Sequence, residues 1–206
     1  MKKHRSLLAI VTAVVVVSLG AVFWHKILRH ELFPDNLGEV VPGKIYRSAQ
    51  LTERMLEKVV AEYDIKTIID LSVSDPPRPE TVMERRVVGD LPNVDRVEFS
   101  LRGDGSGDRQ QYVTALSIMA DPVRQPVLVH CAAGAQRTGV IVMLYRHIVE
   151  GVPMHEANRE SLQYGREPDD WVALAYLAEN LAPIKEAFRR ENLATGLPGD
   201  GNDPEP

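Results

Sequence analysis

A single cysteine lies in the segment His130-Cys131-Ala132-Ala133-Gly134-Ala135-Gln136-Arg137-Thr138-Gly139, with an arginine six residues on and a threonine directly after it. The apolar run Val127-Leu128-Val129 precedes the segment, and Val140-Ile141-Val142-Met143-Leu144-Tyr145 follows it. The first run reads as a buried strand and the second as a buried helix, so the cysteine falls at a strand-to-helix turn. That placement suits a thiolate nucleophile inside an anion cradle. A free thiol titrates near ~8.5, whereas nucleophilic cysteines are brought down to ~3.5–7.5. A shift of ~3 units asks for roughly 4 kcal/mol of preferential stabilisation of the anion. A helix N-terminus supplies only ~0.3–1 kcal/mol, or ~2 when partly buried. The remainder must come from convergent donors: the backbone N–H groups of Ala132, Ala133, Gly134, Ala135, Gln136 and Arg137, the Arg137 guanidinium and the Thr138 hydroxyl.

Gly134 suits a loop whose amides must turn inward, since glycine tolerates positive φ and close backbone approach. A ring of amides at a helix start also holds phosphate. Arg137 adds a planar fork able to grip two oxygens of a phosphoryl group, which lysine cannot do. The competing reading is a buried structural cysteine, since free cysteine is among the most buried residue types. A cysteine at the end of a strand, before glycine, arginine and threonine at set offsets, fits that reading badly.

The pattern His-Cys-x-x-Gly-x-x-Arg-Thr-Gly over residues 130–139 resembles the signature loop of the protein tyrosine and dual-specificity phosphatase superfamily. Upstream, Val40-Val41-Pro42-Gly43-Lys44-Ile45-Tyr46-Arg47-Ser48-Ala49-Gln50 and Ile65-Lys66-Thr67-Ile68-Ile69-Asp70-Leu71 resemble the start of small dual-specificity-type domains. The resemblance covers residues 36–192. It implies a two-step reaction without metal or other cofactor. Cys131 would attack phosphorus to form a phosphocysteine that water then hydrolyses, splitting one hard displacement into two easier steps. Arg137 would meet the charge on the equatorial oxygens, and Thr138 would hydrogen-bond the thiolate. His130 would orient the loop rather than act as acid or base.

The leaving group needs a proton, which the family takes from an aspartate on a separate loop. The acidic residues in a suitable loop are Asp104 and Asp108, within Leu101-Arg102-Gly103-Asp104-Gly105-Ser106-Gly107-Asp108. Three glycines there predict a mobile excursion able to close over a substrate. Asp108 directly precedes the helical pattern 109–116 and is placed to cap it, which leaves Asp104 as the preferred acid. The Trp-Pro-Asp loop of the tyrosine-specific branch is absent from this chain, so Asp108, or neither residue, stays open as the donor.

Strands are expected around 44–47, 66–71, 94–101 and 126–130. Helices are expected around 52–63, 79–89, 109–120, 137–150, 153–164 and 169–192. This alternation indicates an α/β domain with a central, mostly parallel sheet of four to five strands, covered by helices on both faces. Ligands bind such sheets at the carboxyl ends of the strands, where Cys131 falls. Arg47 and Arg78 border the same edge, and a structural or solvated role is favoured for both over contact with substrate. A net charge of −5 argues against a nucleic-acid partner, which rewards basic surfaces.

Residues 7–24 are apolar apart from Thr12 and Ser18 and follow Lys2, Lys3 and Arg5. As a helix they would reach about 27 Å, close to the ~30 Å hydrocarbon core of a bilayer. A transmembrane anchor is therefore expected there, ahead of the cleaved signal peptide that Ser18 and Gly20 would allow. The positive charge before the span places the catalytic domain on the non-cytoplasmic side, or in the periplasm or medium after cleavage. The organisation expected is a basic N-terminus at 1–6, the anchor at 7–24, a tether at 25–35, the phosphatase domain at 36–192 and a disordered tail at 193–206.

The leading function is thus hydrolysis of phosphotyrosine, and of phosphoserine or phosphothreonine, in proteins. A phosphatase of inositol phosphates or phosphoinositides is the alternative, weakened because the loop residues 132–136 are neutral. A non-catalytic module that binds phosphorylated ligands is less favoured still, as is a sulfurtransferase.

Overall fold

The computed structural model describes residues 14–22, 33–167 and 170–195. The chain divides into two compact units, residues 1–34 and 35–206. The second unit contains, in order, β1 (Gly38–Val41), β2 (Ile45–Ala49), α1 (Glu53–Glu62), β3 (Thr67–Asp70), α2 (Pro79–Gly89) and β4 (Asp95–Glu98), then α3 (Arg109–Ala120), β5 (Val127–Cys131), α4 (Gln136–Ile148), α5 (Met154–Leu162) and α6 (Trp171–Thr195). The five strands form one sheet in the order β1-β2-β5-β3-β4. β2, β5, β3 and β4 run parallel, and β1 pairs antiparallel at one edge.

Strict alternation along the parallel strands builds two cores. Tyr46, Ile68 and Leu128 face α1 and α2, packing with Met55, Leu56, Val59 and Val87. Their neighbours Ile45, Ile69, Val127 and Val129 face the other way, against Tyr112, Leu116, Ile141 and Phe188 of α3, α4 and α6. A strand buried on both faces must be apolar at every position, and this is why β5 reads as an unbroken run. The connections through α1 and α2 cover one face, and the connection through α3 covers the other. The reversal opens a crevice at the carboxyl end of the central strand.

The five-stranded, mostly parallel sheet agrees with expectation, but it carries an antiparallel strand at 38–41 ahead of those expected; the left-handed Gly43 (φ 68°) and the Lys44 N–H bond to Val41 O (3.0 Å) close a tight turn between β1 and β2. One expectation is overturned. The transmembrane anchor at 7–24 is not supported, and with it fall the membrane partner and the non-cytoplasmic placement of the domain. Of that span only residues 14–22 are described, and they are helical. Among the described residues no helix is long and apolar enough to cross a membrane. Residues 7–13 and 23–24, most of the tether, and residues 196–206 of the expected tail lie outside the described residues, while α6 runs to Thr195.

Leu128 has no exposed surface and lies at the centre of the α1–α2 core. Leu128→Ala is expected to cost about 2–5 kcal/mol, seen as a lower urea midpoint at unchanged slope.

Candidate active site

Cys131 ends β5 at the middle of the sheet, opposite Ala49 of β2, and is 2% exposed. The next residues turn sharply into α4. Gly134 sits at φ +67°, and a Cβ there would come within 2.6 Å of the Ser48 and Ala49 backbone. Only glycine fits, for its left-handed backbone and for that close approach.

Three successive carbonyls of the loop are tied back by donors from the chain around β1 and β2. Gln50 N–H donates to Ala132 O (3.1 Å), Asn36 Nδ2 to Ala133 O (2.7 Å) and Arg47 Nη2 to Gly134 O (2.5 Å). In a trans peptide the N–H points opposite the preceding carbonyl, so the amides of 133, 134 and 135 turn the other way. No side chain caps α4, whose N-cap is Ala135, so its first-turn amides can meet an anion, as that of Thr138 meets Cys131.

Burial alone would push the Cys131 thiol up. The Thr138 hydroxyl and amide, the Arg137 guanidinium and the Gly134 amide outweigh it and hold the thiol below its ordinary value. The Thr138 hydroxyl is the strongest of these favourable influences on the sulfur. Arg137 Nη1 makes one long contact to Leu101 O (3.5 Å), and its buried Nε has no partner. Most of its five donors are therefore uncommitted, as an oxyanion site requires.

Arg47 is not a substrate contact. It is 1% exposed, holds Gly134 O and lies 4.0 Å from the centre of the Tyr164 ring. Burial lowers its guanidinium to about 10. Arg78 is half-buried and donates to Ser72 Oγ (2.8 Å).

His130 is braced from behind by a buried ionic cluster. Its Nε2 lies 3.1 Å from Glu84 Oε1 of α2. Arg96 Nε donates to the same Glu84 oxygen (2.7 Å), Arg96 Nη2 to Asp70 Oδ2 (2.7 Å), and Arg96 also pairs with Glu98. Gln50, whose amide holds the loop, donates its side chain to Glu84 as well. Burial opposes charge on His130, but the carboxylates of Glu84 and Asp70 prevail and raise it. Burial likewise opposes charge on Glu84, yet His130 and Arg96 take it down to about 2. Asp70, Glu84 and His130 bring ligand atoms within 4.8 Å of one another. That is a grouping the sequence did not suggest, since its members are spread over three elements. The Arg96 guanidinium already supplies the positive charge among these carboxylates, so the residues present do not fit a metal ion.

Asp104 lies in the loop before α3. Its Oδ1 accepts from Ser106 Oγ (2.6 Å) and Ser106 N–H (2.9 Å), and these bonds hold its carboxyl below the ordinary value. The loop is not the open excursion its glycines suggest. Tyr112 OH donates to Gly105 O (2.6 Å), Arg102 N–H to Ser106 O (3.0 Å) and Gly105 N–H to Arg102 O (3.0 Å). Gly105 itself rests against Val140 of α4, 2.9 Å from where a Cβ would stand. Asp108 accepts from Gln110 N–H (2.9 Å) and caps α3.

Sequence reasoning missed Asn36, Gln50, Glu84, Arg96 and Tyr112, each acting through the loops rather than on them from nearby in sequence. Glu84 falls at helical spacing from Thr81, Val87 and Val88, and a carboxylate on that stripe is the signal that was there to find.

An α/β domain carrying a cysteine-centred anion loop at the carboxyl edge of its sheet defines a phosphatase of the dual-specificity and tyrosine-phosphatase type. The chain belongs to the family described as DSP-PTPase phosphatase fused to NAD+ kinase, whose model matches residues 24–171. It is 26% identical over 132 residues to the inositol diphosphatase SIW14 of Saccharomyces cerevisiae, a match covering 60% of this chain and 43% of that protein. This chain thus spans less than half of that relative's length. Among solved structures it resembles P. aeruginosa TpbA, with a TM-score of 0.61 and 25% identity over 75% of this chain and 91% of that one. The core catalytic domain of SIW14 shares the fold, with a TM-score of 0.60 and 20% identity over 81% of this chain and 97% of that one.

Two outcomes are expected from this geometry. Thr138→Ala should move the midpoint of Cys131 alkylation by iodoacetamide to higher pH, because a donor to the thiolate is lost while burial stays. Glu84 has a folded value of about 2 against ~4.3 unfolded, so its contribution is complete above the unfolded value and is lost as pH falls from there toward 2. Glu84→Gln should therefore lower the urea midpoint at neutral pH, with the gap to wild type closing through that acidic window.

Proposed function

We propose that the chain hydrolyses phosphomonoesters of proteins, phosphotyrosine foremost, through a phosphocysteine on Cys131. The observation that carries this reading is the loop itself: a depressed thiol beneath amides whose carbonyls are pulled away by Gln50, Asn36 and Arg47. The phosphoryl group would rest on the amides of 132–137, with Arg137 supplying a paired donor to its equatorial oxygens. The Cys131 sulfur forms its bond to phosphorus as the ester oxygen departs with a proton from Asp104. Water then attacks the phosphocysteine, phosphate leaves, and the departing thiolate is received by Thr138. Asp104 is ionised by its Ser106 bonds in the free protein, so it serves as acid in the fraction of molecules that carry its proton, and acidic pH favours it.

Inositol diphosphates are the second reading, favoured by the relation to SIW14. The neutral residues 132–136 offer no extra cation for a polyphosphorylated ring. TpbA has been solved in complex with pTyr, which accords with the first reading.

Cys131→Ser should abolish phosphate release while still binding a phosphotyrosyl peptide. Asp104→Asn should slow turnover of esters with poor leaving groups by ~10²–10⁴-fold, measured as kcat. Asp108→Asn should alter kcat little. A larger loss of kcat in Asp108→Asn than in Asp104→Asn would reverse the assignment of the acid.

A further inference from the structure

We propose that a cavity beside the phosphate loop is a subsite for an apolar side chain flanking the phosphorylated residue of a protein substrate. The inference rests on the phosphatase reading above and names what lies next to the phosphate. The cavity measures about 500 Å³ and shares Ala132 with the loop. Its other walls come from the turn after β2 and from the start of α2. β2, β3 and β5 are parallel, so both segments emerge at the same carboxyl edge of the sheet as Cys131. A substrate with its phosphate on the amides of 132–137 therefore carries its neighbouring groups across this opening. The Arg102–Gly107 loop stands on the other side of the sheet with α3 and α4, as Gly105 packs on Val140.

The lining sets the chemistry. Leu51 is buried, Met83 is half-buried, and Pro79 and the Ala132 methyl complete an apolar surface. Glu53 and Glu80 are exposed at its border. Of the described residues lining the cavity, Arg78 alone is basic, and it already donates to Ser72 Oγ. A polyphosphorylated ring would meet two carboxylates for one guanidinium here. A leucine or phenylalanine side chain would meet a matching apolar wall, and an acidic flanking residue would meet like charge.

The test compares kcat/KM for phosphotyrosyl peptides that differ only in one flanking residue: leucine, glycine or aspartate, scanned over two positions on each side. Each rate is divided by that for p-nitrophenyl phosphate, which is too short to reach the cavity. At one flank, leucine should exceed aspartate by roughly tenfold or more, the scale of burying one large apolar side chain. Met83→Glu should erase that ratio. Glu80→Lys, an exposed change that spares the fold, should raise the aspartate peptide several-fold relative to the leucine one. Equal rates for all flanks, or a leucine preference that survives Met83→Glu, would overturn the subsite while p-nitrophenyl phosphate turnover kept the phosphatase reading intact. A diphosphoinositol ester outpacing every peptide, unmoved by Met83→Glu, would overturn it also. No turnover of p-nitrophenyl phosphate by the wild-type chain would overturn the phosphatase reading beneath both.

Discussion

Keeping a sulfur anion inside a protein is costly, because burial favours the neutral thiol. The Thr138 hydroxyl and amide, the Arg137 guanidinium and the Gly134 amide meet this cost together, with no single strong countercharge. Amides can face Cys131 only if the carbonyls on the same peptide planes are satisfied elsewhere. Residues 36, 47 and 50 supply that satisfaction from the chain around the edge hairpin. The reactive loop is therefore set largely by what pulls on its back.

A second tier of interactions fixes the first. Gln50 serves the loop with its amide and Glu84 with its side chain, and Glu84 also meets His130 beside the cysteine. One buried carboxylate on α2 thereby connects both flanks of the loop. Arg96 offsets the surplus of negative charge and, with His130, holds the buried Glu84 carboxyl down to about 2. Removing a member of such a network leaves a buried charge without its partner. This couples the stability of the α2 face to the geometry around Cys131.

Much of this was legible in the residues. The apolar run 127–129 reads as a strand covered on both faces, and it is one; Cys131 with Arg137 and Thr138 at fixed offsets reads as an anion loop, and the three lie together at the start of α4. Asp108 before an amphipathic stretch reads as a cap, and it caps α3. What could not be read depends on long-range placement. The strand at 38–41 is short, half-buried and followed by Pro-Gly, so it carries no periodicity of its own. Arg47 looks like any surface arginine until the sheet folds around it. The glycines of the 101–107 loop suggest freedom, yet Gly105 is needed because Val140 approaches so closely. The apolar stretch 7–24 has the length of a membrane helix as a sequence, but among the described residues no helix is long and apolar enough to cross a membrane.

The ring of Tyr164 covers the Arg47 guanidinium. Tyr164 follows α5, far along the chain from the strand it protects. The guanidinium that holds Gly134 O is therefore roofed by a residue from beyond α4 and α5 rather than by its own strand. The support behind the loop after Cys131 thus depends on the packing of the segment after α5 against the edge of the sheet as much as on the loop's own residues.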